Sequence, residues 1–357
     1  MKKQEKELIK SLCSFKAKEF DENLLKYATP AVLGQLLFNR MQGIAYGTLR
    51  QHGLLGKVNR EFRNSLQAAY DHNVEKNRSY FWCVEHIYEV LKTTKVKYAL
   101  LKGGYLCRYY PVGYRTSNDI DVLVLPKDVT KVSNALLAYN FHQGSIKNDE
   151  FLAATRKEII ESKMMRGETV PYIKKIGFFG MKHLEVDINF SLDYKNGETD
   201  ILDKILDRAA TRELLELDIT TLDTYDFFIH LCCHLYKEAT TMPWIEMKRD
   251  MTLYKYGDIY SLLSDMSEEE TEKMFIRAKE LNLDKKCAFA IKQTAELFKL
   301  ENDYSVSRAD LILQDDPEFM NRVISPKANK TYVYTEKSAF RRFYSKDRKK
   351  LLKEVLN

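Results

Sequence analysis

RTSNDIDVLV, residues 115–124, is the stretch on which the reading of this chain turns. It is an apolar run broken by two aspartates one residue apart, Asp119 and Asp121. Residues i and i+2 of a strand share a face. Asp119 and Asp121 therefore project together, with Ser117 beside them, while Ile120 and Val122 turn toward a core. Burying carboxylates is costly unless a partner or a metal compensates them. Two so close repel unless a proton or a cation sits between them. Hard dications such as Mg²⁺ take oxygen ligands and often keep substrate phosphates in their shell.

Downstream, MKHLEVDINF (181–190) alternates. Leu184, Val186 and Ile188 point one way; His183, Glu185, Asp187 and Asn189 point the other. If the two strands pair, Asp119, Asp121 and Asp187 converge, which is the layout of a two-metal phosphoryl or nucleotidyl transfer site. Upstream, KYALLKGGYLC (97–107) reads as a short strand, a glycine pair and a helix start. Gly103 and Gly104 there would let backbone N–H groups approach a phosphate.

Around this block the chain is helical. Residues 1–95 form an N-terminal helical region by their apolar spacing, as in Leu36, Leu37, Met41 and Ile44. Residues 96–197 form the α/β core, 198–315 a C-terminal helical domain, and 316–357 a basic tail or helix. Within the core, Pro126-Lys127-Asp128 opens a helix running to about Tyr139. The expected class is α+β, a small mixed sheet flanked by N-terminal helices and a C-terminal helical domain.

The net charge of +6 suits an anionic partner but equally a solvated surface. The N-terminus lacks the apolar core and cleavage site of a signal peptide, and no run is long and apolar enough for a membrane span. The six cysteines lack CxxC spacing, so reduced core thiols and a cytoplasmic location are expected.

LLKGGYLCRYYPVGYRTSNDIDVLV (100–124) resembles the polymerase-β-type nucleotidyltransferase superfamily. More closely it is similar to the bacterial uncharacterised nucleotidyltransferases that carry LKG, then an arginine, then DxD. Gly103 and Gly104 match the superfamily's glycine-glycine/serine helix start, and Asp119 and Asp121 its metal-binding pair. Asp187 matches the third carboxylate, and Arg115 the arginine before DxD. The second glycine replaces a commoner serine, and the spacing to DxD is longer than in minimal members. The resemblance spans residues 30 to about 265.

It implies two Mg²⁺ ions, with Mn²⁺ as an alternative, held by Asp119, Asp121 and Asp187. The nucleotide would be an NTP, ATP first among them, with Lys102 and Arg115 against its phosphates and Gly103, Gly104 and Ser117 lining the loop. Pyrophosphate leaves and Asp187 helps deprotonate an acceptor hydroxyl. A small molecule or peptide is the favoured acceptor, since the group resembles aminoglycoside-type nucleotidyltransferases in architecture. A toxin-like enzyme acting on tRNA, or a nucleotide- or RNA-binding module without turnover, is the alternative.

In TYDFFIHLCCHLYKEA (224–239), His230 and His234 share a helix face, too few imidazoles for a zinc site. The resembled group carries a histidine on this helix and an aspartate on the next. This places His234, Lys237, Lys248 and Asp250 at the acceptor side of the cleft. The last forty residues interleave aromatics such as Tyr334 and Phe343 with lysine and arginine. That mixture could bind RNA, or form a plain amphipathic helix with a solvated basic face.

Overall fold

A computed structural model of the chain describes residues 1–191, 199–214 and 217–355. Two compact units account for them: Ala69–Phe227, and Met1–Ala68 together with Phe228–Asn357.

The first unit is built on a mixed eight-stranded sheet. In chain order its strands are β1 (Tyr98–Leu100), β2 (Asp119–Val124), β3 (His142–Lys147), β4 (Glu150–Ala153), β5 (Tyr172–Phe178), β6 (Met181–Asn189), β7 (Ala210–Leu214) and β8 (Leu217–Thr221). Their order across the sheet is β4-β3-β5-β6-β2-β1-β8-β7. β2 runs parallel to β6 and β1 parallel to β8; the remaining neighbours are antiparallel. One face is the core, where Ile120, Val122, Leu184, Val186 and Ile188 meet Tyr80, Val84, Ile87 and Leu91 of the long helix Arg60–Thr94. Val132 and Leu136 of the helix Val129–Ala138 close the same layer. That helix follows a 3₁₀ turn at Pro126–Asp128, as the proline at its start predicts. Alternation along β2 and β6 leaves their carboxylates on the opposite face.

Two stretches depart from the expected helical reading. After the helix Thr199–Asp207, β7 and β8 form a hairpin that extends the sheet, with Leu100 of β1 paired to Thr221. Short threonine-rich strands carry little periodicity of their own; pairing to an existing edge decides their state. In the second unit, residues 316–355 are neither a tail nor one helix. They form a three-stranded sheet, β9 (Arg322–Ser325), β10 (Lys330–Tyr334) and β11 (Leu352–Val355), with a short helix Ala339–Phe343. Val323 and Tyr334 bury against Met242 and Ile245. Its lysines are partly paired, Lys330 with Glu354 and Lys349 with Glu246.

The rest of the second unit is helical, with starts set by local capping. Thr29 caps the helix Pro30–Phe38, and Ser267 with Glu270 forms a capping box for Glu268–Glu280. All six cysteines are buried thiols outside any disulfide. No helix among the described residues is long and apolar enough to cross a membrane.

Candidate active site

The site begins with register. In the parallel β2/β6 pair, Asp119 lies opposite Glu185 and Asp121 opposite Asp187. Four carboxylates therefore share one face of two neighbouring strands. Glu168 adds a fifth: its backbone bridges Asn189 at the end of β6, and its charge is felt by Asp121 and Asp187.

The compensating groups are few. Lys102 places its ammonium 2.8 Å from Asp121 Oδ1. Asn189 Nδ2 donates to the same oxygen at 3.3 Å. Ser117 Oγ donates to Asp119 Oδ1 at 2.8 Å. Burial alone would raise Asp119, but Lys102, the Ser117 hydroxyl and Arg115 hold its pKa below the ordinary carboxylate value. Burial and the neighbouring Asp119 raise Asp121 in spite of Lys102. Asp187 is pushed well up, by burial first and then by Asp121, Glu168 and Asp119. Burial and Asp119 raise Glu185 as well. For Lys102, burial opposes the charge, but Asp121 and Asp119 overcome it and keep the ammonium protonated.

The loop that delivers Asp119 is strapped to the long helix. Asn77, fully buried, accepts from the Gly113 N–H at 2.8 Å and donates to the Arg115 carbonyl at 2.9 Å. Asn73 donates to the Gly113 carbonyl at 3.0 Å and Tyr70 to the Val112 carbonyl at 3.1 Å. Tyr80 donates to the Asp119 carbonyl at 2.8 Å, and Lys76 contacts Asn118. Positions 70, 73, 77 and 80 follow helical spacing, so one polar stripe holds residues 112–119. Arg115, itself buried, turns its guanidinium to the Thr116 carbonyl. Sequence reasoning missed Asn77, Tyr80 and Glu168; an asparagine–tyrosine stripe on an otherwise amphipathic helix was the available signal for the first two.

Lys102-Gly103-Gly104 forms the turn from β1 into the helix Gly103–Tyr109. Gly104 N–H donates to the Leu101 carbonyl at 3.0 Å. A Cβ on Gly103 would stand 2.5 Å from Ser117 Cβ and Oγ and 2.8 Å from the Tyr80 hydroxyl, whereas one on Gly104 would meet only Leu100, at 3.2 Å. Close packing thus requires the first glycine far more than the second. Gly103→Ala should lower stability by about 1–3 kcal/mol through overpacking. Gly104→Ala should stay within about 1 kcal/mol of wild type, helped by alanine's helix propensity. Urea unfolding midpoints of the two variants check this contrast.

The donor chemistry fits a hard dication, since carboxylate oxygens of Asp119, Asp121, Glu185 and Asp187 share one face of the paired strands. Among the described residues, no group of three His, Cys, Asp or Glu is placed to hold a metal ion.

The remaining sequence candidates lie in the other unit. His234 Nε2 is 3.2 Å from Glu238 Oε1, and Glu238 also pairs with Lys255. Lys237 is on the same helix, and Lys248 is exposed with a left-handed backbone (φ +57°). Asp250 is fully buried, and both its oxygens accept from Arg348, each at 2.6 Å.

A family model described as an uncharacterised nucleotidyltransferase matches residues 30–299. No curated protein matches the chain.

Proposed function

The chain belongs to the uncharacterised nucleotidyltransferase family, and on that premise we propose that it moves a nucleoside monophosphate from an NTP, ATP first among them, to an acceptor hydroxyl. Pyrophosphate is the leaving group. The observation that carries the assignment to residues is the register that sets Asp121 beside Asp187 on parallel strands. Asp119, Asp121 and Asp187 are the residues that would hold two Mg²⁺ ions, or Mn²⁺. When bound, those ions supply charge neutralisation of the triphosphate and polarise the attacking and leaving oxygens.

The chain's own groups do the rest. Lys102 and Arg115 offer cationic donors to phosphate oxygens, and the arginine's fork suits two of them at once. Asp187 is the carboxylate that would accept the proton of the acceptor hydroxyl. Gly103 and Gly104 keep the helix start bare of side chains. The acceptor favoured here is a small molecule or peptide. Tyr334 and Phe343, aromatics that would have stacked on RNA bases, are buried instead.

One observation favours a second reading, a nucleotide-binding module without turnover: Lys102 already occupies Asp121. Incubation with each α-phosphate-labelled NTP, Mg²⁺ and a cell lysate separates the two. Label entering a defined product, with matching pyrophosphate, supports transfer. Calorimetric binding of NTP with no product from any acceptor mixture supports the module.

The raised carboxyl of Asp187 has a pH consequence. Its folded-state pKa lies above its unfolded one, near 3.9, so its stabilising contribution is complete below that value. The contribution is lost as pH rises toward the folded pKa. Asp187→Asn, neutral throughout, should therefore be more stable than wild type in EDTA at pH 8, by about 1–2 kcal/mol. The gap should close toward pH 4, and thermal melts across pH read it.

A further inference from the structure

Lys102 has a conformation that a phosphate-binding role alone does not explain. Its backbone stands at φ +41°, ψ −115°, a region that side-chain-bearing residues rarely adopt. Hydrogen bonds hold it there: its carbonyl accepts from Leu106 N at 2.8 Å and Tyr105 N at 3.2 Å. The residue before it is tied to the strand carrying the DxD pair, Leu101 N donating to the Asp121 carbonyl at 2.9 Å. The strained turn therefore fixes where the side chain leaves the backbone. It leads the ammonium to 2.8 Å from Asp121 Oδ1, with the lysine side chain 22% and the aspartate 5% exposed.

Acidic groups crowd this pair. Asp119, Glu185, Asp187 and Glu168 stand near Asp121, with Lys102 and Arg115 among the cations acting on them. Arg115 turns its guanidinium to the Thr116 carbonyl. Lys102 makes an ion pair with Asp121 at hydrogen-bond distance. A dication bound by Asp121 and an ammonium bonded to the same oxygen compete for one place.

We propose that Lys102 is the internal counter-ion of the site: its ammonium holds the Asp121 position in the metal-free protein, and an entering dication displaces it. This rests on the metal-dependent reading above and adds a competitor to it. The released ammonium is then free for triphosphate oxygens, so metal entry and nucleotide binding are coupled through one side chain. The exchange involves no covalent step; an ion pair breaks as the cation–carboxylate contacts form.

Mg²⁺ and Mn²⁺ titrations without nucleotide test this, by calorimetry and by thermal melting of the full chain. Lys102→Met keeps the length and removes the charge. In EDTA it should melt below wild type, because Asp121 loses its partner. Its affinity for either ion should be about tenfold tighter than wild type, the equivalent of about 1.4 kcal/mol of lost competition. Lys102→Arg keeps a charge and should bind metal no more tightly than wild type. If Lys102→Met does not fold, Lys102→Gln replaces it with the same expectation.

Metal affinity unchanged or weaker in the neutral variants, while wild type binds normally, overturns the displacement and leaves the metal-dependent function standing. If wild type and variants all fail to bind either ion at millimolar concentration, the metal-dependent function falls and the displacement with it.

Discussion

Changing Asp119 and Asp121 together to alanine is expected to cut label transfer at least about a thousandfold. A metal at a transferring phosphoryl group supplies several kcal/mol of transition-state stabilisation, and each 1.4 kcal/mol is about tenfold in rate. Asp121 is the most committed carboxylate of the site, bonded to Lys102 and to Asn189. Asp119 is held low by Lys102, Ser117 and Arg115 against the effect of its burial. The core face of β2, with Ile120 and Val122 fully buried, is untouched by the change. The double variant should therefore keep its circular dichroism spectrum and a cooperative melt. Pyrophosphate release at the wild-type rate from such a folded variant would remove the two residues from the chemistry.

Arg348→Ala is expected to destabilise the unit that contains it by about 3–5 kcal/mol, because it strands a buried charge. Asp250 is fully buried and Arg348 nearly so, and the guanidinium spans both carboxylate oxygens. No such cost attends an exposed pair such as Lys349–Glu246, where screening leaves well under about 1 kcal/mol. Chemical unfolding of the two single variants should show that difference. Combining Arg348→Met with Asp250→Leu should recover most of the loss, since no charge is then left alone in the interior. If Arg348→Ala unfolds like wild type, the Asp250–Arg348 pair contributes little to the stability of that unit.

Much of the candidate site was visible as pattern. The alternation of β2 and β6 named Asp119, Asp121 and Asp187, and the glycine pair marked the turn before the helix Gly103–Tyr109. The function of Gly103 in that turn was not visible. Its requirement comes from Ser117 and Tyr80, which lie 14 residues downstream and 23 upstream of it in the chain. Glu168 was hidden for a related reason: it belongs to no periodic segment, and pairing to the end of β6 at Asn189 brings it near the others. The strap of Tyr70, Asn73, Asn77 and Tyr80 could be suspected from helical spacing, but not the loop it grips.

Periodicity is a local property, so the chain's own letters determined that β1, β2 and β6 are strands, that helices open at the glycine pair and after Pro126, and which residues of β2 and β6 are polar-faced. They also determined the mild positive charge and the absence of CxxC spacing. Tertiary structure alone decided that β2 and β6 run parallel in the register that aligns Asp121 with Asp187. It also decided that β3–β5, β7–β8 and β9–β11 are strands, and that Asp250 pairs with Arg348. Those outcomes depend on which distant segment offers an open edge or an opposite charge, and hydrogen bonding and burial settle that only once the chain has closed on itself.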